Sequence, residues 1–375
     1  MSESSIPPPF RAELIGSLVR PQAIKDARNS FDEGNISEAD LKRIEDSEIK
    51  KIISLQEDLG FQVVSDGELR RSTYSESFTT HGITGLELMD DAGGAWTYKN
   101  DKGSTVGQRS PRVVDKIRWA GPTNIDNFQF IAANAKKALP KMTLPGPAYI
   151  HYRAGRNNIS SDVYPNLDDF WNDLTNAYKD ELKSLFDAGC RYVQLDETSI
   201  AKLGDEKIRE GLAKRGDDWQ DLLEAYIDAV NAVVSSAPQG MSIGIHLCRG
   251  NKQGHWQAAG GYDDIAEKLF RNLKTGFYFL EYDSPRAGSF APLKALPDDK
   301  IVVIGAMTTK SSELESAEFL KSRIKEASEF VDIERLCISP QCGFASSVNS
   351  VMNEEQQLAK LKRLIEVANE IWSIS

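Results

Sequence analysis

The sequence predicts an α/β chain folded as a single (β/α)8 TIM barrel, with residues 1–375 forming one domain. Three observations carry that expectation. Short apolar, strand-like runs alternate with amphipathic helical stretches along the whole length, the pattern of parallel βαβ units. About eight such steps fit into 375 residues, a length common for eight-stranded barrels. Polar, chemistry-bearing residues collect at the ends of the strand-like runs, where barrel enzymes carry their working groups. A doubly wound open sheet is the competing architecture, but no strand is followed by the Gly-rich phosphate turn of a dinucleotide binder.

A first short strand is expected at 12–17, followed by Pro21 and a helical region at 22–33. Ser37, with Asp40 three residues on, opens a second helix that runs to Leu59 and stops at Gly60. Further strands are expected at 61–65, 141–144, 192–195, 242–247, 277–281, 301–304 and 336–339. Helical stretches lie near 124–139, 167–188, 219–235, 262–272 and 311–331, and a last helix covers 353–372. Residues 69–121 break the alternation. They carry Gly93-Gly94, Gly103, Gly107 and the run Arg109-Ser110-Pro111-Arg112, and read as a long insertion after strand 2, a β-hairpin over the active face.

A hydrophobic content of 40% is enough for a large core. The 45 basic and 56 acidic residues give a net charge of −11, which argues against a nucleic-acid or anionic-membrane binder. No run approaches the roughly 18 consecutive apolar residues that would span a membrane. Met1-Ser2-Glu3-Ser4-Ser5 has neither a basic nor an apolar leader region, and four cysteines in so long a chain do not make a disulfide framework. A cytoplasmic protein is expected.

The most informative stretch is Ile243-Gly244-Ile245-His246-Leu247-Cys248. Side chains alternate faces along a strand, so an imidazole and a thiol two positions apart point the same way and form half of a tetrahedral zinc site. With four histidines and four cysteines in the chain, an accidental pairing at this spacing has a chance of roughly one in twenty. Later strand ends supply two more donors. His246, Cys248, Glu281 and Cys342 together offer one nitrogen, two sulfurs and one oxygen, a set that suits zinc better than magnesium or calcium. Taken singly, Glu281 reads equally well as a salt-bridged carboxylate and Cys342 as a small buried residue. Cys337, inside an apolar strand, reads as core. Ligands on separate strands of a large domain that does not need a metal to fold point to chemistry rather than to a structural zinc module. Two protein thiolates weaken the metal as a Lewis acid for water but leave a bound alkylthiolate nucleophilic, so thiol chemistry is favoured over hydrolysis.

These residues resemble the catalytic half of the cobalamin-independent methionine synthase family. The matching segments are Ile15-Gly16-Ser17, Asp66-Gly67-Glu68-Leu69-Arg70, Leu144-Pro145-Gly146-Pro147, Gln194-Leu195-Asp196-Glu197, His246-Leu247-Cys248, Leu280-Glu281 and Pro340-Gln341-Cys342-Gly343, in the family's order and across nearly the whole chain. The resemblance implies a zinc-bearing barrel that moves a methyl group from a folate-type donor to the thiol of homocysteine. It implies His246, Cys248, Glu281 and Cys342 as zinc ligands, and Ser17, Glu68 and Asp196 as the residues that hold the amino-acid end of the thiol substrate. Alone, Asp196 also reads as a helix cap, and Glu68 as the salt-bridge partner of Arg70 or Arg71. Three departures stand out. The additional N-terminal barrel of full-length synthases is absent. The Asp-x-His proton shuttle after strand seven is replaced by Met307-Thr308-Thr309-Lys310, which makes Lys310 the candidate catalytic group there. The segment after Pro147 lacks the tryptophan that stacks on folate, with Tyr149, Tyr152 or Trp96 as substitutes. Alternatives to methionine synthesis are zinc-dependent alkyl transfer involving another small thiol, a metal-free decarboxylase of the uroporphyrinogen type, and a thiol- or zinc-binding homologue without turnover.

Overall fold

A computed structural model describes residues 8–75, 77–89, 97–107 and 109–373. Its centre is a six-stranded, all-parallel sheet. In chain order the strands are β1 (Val63–Val64), β2 (Ile83–Met89), β3 (Tyr98–Lys99), β4 (Thr105–Val106), β5 (Ser110–Trp119), β6 (Leu139–Pro140), β7 (Met142–Pro145), β8 (Tyr192–Asp196), β9 (Ser242–Leu247), β10 (Phe277–Glu281), β11 (Ile301–Met307) and β12 (Leu336–Pro340). The sheet runs β12-β11-β10-β9-β8-β7, and β1 and β6 form a separate parallel pair. The strands β8, β10 and β12 are buried at every position, as parallel strands covered on both faces must be.

The expected first strand at 12–17 is not a ladder strand. Ala12 makes one parallel bridge to Ile338, the Glu13 amide donates to the Ile338 carbonyl at 2.9 Å, and the Leu18 amide donates to Gly67 at 2.9 Å. The expected strand at 61–65 shortens to β1: the Phe61 amide donates back to the Gln56 carbonyl in the turn leaving the preceding helix, and the chain joins its partner only from the Gln62 carbonyl, which accepts from the Leu139 amide at 2.8 Å. Helices largely follow their sequence signals. Ser37 and Asp40 close a capping box on Glu38–Asp58, and Asn353 and Gln356 close another on Glu354–Trp372. The stretch expected to be helical at 124–139 stops at Asn134, because the chain must turn into β6. Helices Ala148–Ala154 and Glu206–Arg215 were not expected.

Residues 69–121 contain an antiparallel ladder, β2 with β5, and a small antiparallel pair, β3 with β4. Gly93 and Gly94 lie outside the described residues. Lys99 bridges Trp256, and the Asn100 side chain bonds the His255 ring at 3.2 Å, so β3 and β4 rest on the loop that follows β9.

Strand alternation also builds the interior. Phe279, Val303, Cys337, Tyr192 and Val63, one from each of five strands, pack together with Phe10 and Ile15. Against them lies a buried polar ladder. Lys141 Nζ is 3.1 Å from Glu13 Oε2 and 3.1 Å from Gln194 Oε1, and Tyr192 donates to Glu13 Oε1 at 2.8 Å. No helix among the described residues is long and apolar enough to cross a membrane.

Candidate metal centre

The C-terminal ends of β8, β9 and β12 converge on one pocket with about 600 Å³ of empty space, part of it open to solvent. His246 lies opposite Asp196 in the β8–β9 register, and Cys248 follows two residues later on the same side. Cys342 arrives from the turn after β12. Its thiol donates to the Cys248 sulfur at 3.9 Å, and donor atoms of His246, Cys248 and Cys342 all lie within 4.8 Å of one another. Both nitrogens of the buried His246 ring lack a hydrogen-bond partner. Leaving two imidazole nitrogens dry is costly, and a metal ion at the nitrogen–sulfur–sulfur cluster would engage one of them. The donor set therefore fits zinc.

Electrostatics within the cluster are mutual. The Cys342 thiol, followed by the nearby His246, holds Cys248 well below the usual thiol range, and Cys342 is pushed up in return. Burial works against a charged His246, but the Cys248 thiolate outweighs it and raises the histidine.

The same pocket is lined by Ser17, Glu68 and Asp196. Glu68 stands on a tight turn at φ +55°, where its amide donates to Asp66 Oδ1 at 2.9 Å. The preceding Gly67 stands at φ +63°, a left-handed conformation that favours glycine, and a Cβ there would also push on the Ile52 terminal methyl at 2.6 Å. Glu68 Oε1 accepts from the Thr143 hydroxyl at 2.8 Å and lies 3.4 Å from Arg71, while its buried Oε2 has no partner. Asp196 accepts from Gln194 Nε2 at 2.7 Å. Lys141 has only hydrogens to offer Gln194, so the amide oxygen must face Lys141 and the amide nitrogen must face Asp196. Burial, with Glu68 nearby, pushes Asp196 up to about 7. Gly343 lies so close to Ser17 that a Cβ on it would collide with the Ser17 hydroxyl. Arg20, buried, ties these loops together by donating to the carbonyls of Leu18, Ala345, Glu68 and Arg71.

Glu281 is not brought into the nitrogen–sulfur–sulfur group. Its Oε1 lies 3.1 Å from Lys310 Nζ and 3.0 Å from Arg286 Nη2, and its Oε2 accepts from the Arg249 amide at 2.6 Å. Burial alone would raise its pKa, but Lys310, Arg249 and Arg286 bring it down to about 2. Lys310 is likewise absent from the pocket that Cys248 and Cys342 line. It sits between Glu281 and Asp283, facing a neighbouring groove with Trp256 and Arg286.

Tyr149 and Tyr152 are core residues and do not line the cysteine pocket, and Trp96 lies outside the described residues. His151 packs among Phe170, Trp171 and Tyr226, where burial lowers it to about 4. Sequence reasoning missed two features. Tyr98, on β3, lines the pocket opposite the strand ends. Lys202, buried one helical turn after the pocket residue Thr198, reaches that hydroxyl at 3.4 Å, and burial lowers it to about 8. The i, i+4 spacing of Thr198 and Lys202 was the available signal.

Comparison with known proteins identifies the family. Residues 10–370 match the family model described as the cobalamin-independent synthase catalytic domain. The Bacillus subtilis (strain 168) protein YxjH, itself uncharacterised, is 37% identical over 366 residues, covering 97% of this chain and 95% of that protein. A solved structure from Listeria monocytogenes, described as a candidate vitamin-B12-independent methionine synthase, is 33% identical with a TM-score of 0.74, covering 97% of this chain and 98% of the other. Methionine synthase of Pyrococcus horikoshii is 24% identical over 339 residues, covering 90% of this chain and 86% of that protein. The chain belongs to the cobalamin-independent synthase catalytic-domain family.

Proposed function

We propose that this member of the cobalamin-independent synthase family is a zinc-dependent S-methyltransferase that makes methionine from homocysteine, with a folate-type donor such as 5-methyltetrahydropteroyl-glutamate. The observation that carries the reading is the meeting of His246, Cys248 and Cys342 in a pocket shared with Ser17, Glu68 and Asp196. Zinc held by His246, Cys248 and Cys342 would supply a Lewis acid that keeps a substrate sulfur deprotonated at neutral pH.

The protein's own groups do the positioning. Glu68 presents a dry carboxylate oxygen, and Asp196 a second carboxyl, to an α-ammonium. Ser17 offers a hydroxyl to the α-carboxylate. Tyr98 and the strand ends restrict water around the sulfur, so that orientation adds to thiolate reactivity. In the transfer, a sulfur–carbon bond forms as the donor's methyl–nitrogen bond breaks, and the donor nitrogen takes up the proton that the thiol released.

The reading takes the six-stranded sheet, the β1–β6 pair and the segment at 12–17 as a closed eight-stranded barrel spanning one domain. The cross-gap bonds from Glu13 to Ile338 and from Leu18 to Gly67 support it. It takes 69–121 as an excursion over the active face, supported by Tyr98 in the pocket wall. Four unpaired cysteines suit a cytoplasmic setting. Zinc-dependent alkyl transfer involving another small thiol is the second reading, favoured by the place of Lys310: no shuttle stands where methionine synthases carry a histidine.

The test is to supply metal-analysed, purified protein with homocysteine and a panel of methyl donors and to look for methionine. Stoichiometric zinc and methionine from a folate donor are expected. Turnover of a different thiol alone would move the assignment to the second reading, and metal-free active protein would end both.

A further inference from the structure

We infer that Tyr98 is a specificity-determining residue, whose ring is the wall that limits the group carried by the substrate sulfur to the size of a methyl. This rests on the proposed transfer of a methyl group to an amino-acid thiol and adds which residue selects the group.

Tyr98 enters the pocket from the small β3–β4 pair, not from a strand end of the central sheet. It is buried and lines the pocket together with Cys248, Gly250 and Cys342. Its ring lies against Gly250, two residues past Cys248: a Cβ on Gly250 would stand 2.6 Å from Tyr98 Cε1, and Gly250 itself adopts φ +93°. A glycine at that point lets the ring approach the backbone that leads away from the cysteine. Burial pushes the Tyr98 hydroxyl up, against Arg153, and Cys248 and Cys342 add to the rise. The ring therefore stands on the sulfur side of the pocket. Ser17, Glu68 and Asp196 are left for the amino-acid end.

The wall is fixed from behind. Lys99 and Trp256 exchange two backbone hydrogen bonds, at 2.8 and 2.7 Å. Asn100 Oδ1 accepts from the amides of Lys102 and Ser104, which turns its NH2 group toward His255 Nε2 at 3.2 Å. His255 Nδ1 faces the carbonyls of Lys252 and Gln253, so the ring carries its proton there. Nε2 is then the acceptor for Asn100 and for the Ser104 hydroxyl at 3.1 Å. Lys252 Nζ donates to the Gly107 carbonyl at 2.6 Å. All these anchors lie on residues 252–256, shortly past Cys248, so one loop holds both the wall and the cysteine it faces. An S-methyl group can lie against the ring. One methylene more must push a backbone-anchored aromatic aside, and overpacking of that kind is costly.

Calorimetric binding of methionine and of ethionine, its S-ethyl homologue, to the zinc-loaded full-length protein provides the test. Wild type is expected to bind ethionine about 30-fold more weakly than methionine, within the range a single methylene commands in a shaped pocket, and Y98F should keep that ratio. Y98A should bring the two ligands within about threefold of each other. If Y98A does not fold, Y98V takes its place, since valine suits a strand. A merely structural role would weaken both ligands together and leave the ratio where it was. An unchanged ratio in the small variant, a ratio lost already in Y98F, or a wild type that takes both ligands equally would overturn the inference and leave the methyl-transfer reading standing. A wild type that binds neither methionine nor homocysteine defeats that reading, and the inference falls with it.

Discussion

Asp196 and Glu281 are two buried carboxyls at the ends of parallel strands, separated by one strand. One is pushed up to about 7 and the other is brought down to about 2. Burial acts on both in the same direction, so their neighbours decide. Asp196 meets the His246 ring, the like charge of Glu68 and a neutral amide from Gln194, and the pull of the imidazole does not outweigh burial. Glu281 meets Lys310, Arg249 and Arg286 and has none left. One carboxyl faces the pocket without a charged donor bonded to it, and the other is already satisfied by the protein.

The largest break in that contrast is expected from Glu281→Leu. It takes their nearer carboxylate from the buried Lys310 and Arg286, leaving them Asp283 at 3.8 and 3.5 Å, and should cost about 3 kcal/mol in denaturant unfolding. Asp196→Asn should not destabilise the metal-free protein near neutral pH, since burial already penalises the charged carboxylate there, yet it should raise the KM for the amino-acid thiol. Equal losses in the two variants would erase the distinction. Lys141→Met comes next. It leaves Glu13 without its cation and removes one of the two contacts that orient the Gln194 amide, the other being its donation to the Ile15 carbonyl at 2.6 Å, so a loss of about 3 kcal/mol should accompany a modest weakening of thiol binding by calorimetry. A loss of stability with unchanged binding would show that Gln194 holds Asp196 without help from Lys141.

pH separates the pair in the metal-free protein. Glu281 binds its proton more weakly when folded, so its contribution to stability is present above 4.5 and is lost as pH falls toward 2. Asp196 binds its proton more tightly when folded, so the native state holds the extra proton between 3.8 and about 7, and stability should fall as pH rises through that window. Urea midpoints in wild type and Asp196→Asn check the second slope, which the variant should lack. The smallest effect is expected from Thr143→Val, which removes the hydrogen bond to Glu68 Oε1: about 1 kcal/mol, with a modest rise in KM.

Much of the sheet and its chemistry was legible because strand alternation is a local property. His246 and Cys248 could be placed on one face from their spacing alone, and β9 and β10 occur at their expected bounds. Cys342 was legible as a donor at a strand end. What Glu281 does was not, because its partners Lys310, Arg286 and Arg249 come from three loops whose meeting is tertiary. The segment at 12–17 looked like a strand because its residues are apolar and buried, yet it makes one bridge and then bends to bring Ser17 beside Gly343. Lys202 carried a spacing signal that a lysine between short apolar residues easily hides.

Arg20 gives the whole arrangement a shared fate. Its single guanidinium clasps carbonyls from the loops that carry Ser17, Glu68 and the residues just past Cys342. Those loops cannot drift apart one at a time. Thermal loosening should therefore be felt by the grip on the amino acid and the grip on sulfur together, as one cooperative event, rather than as gradual fraying of separate contacts.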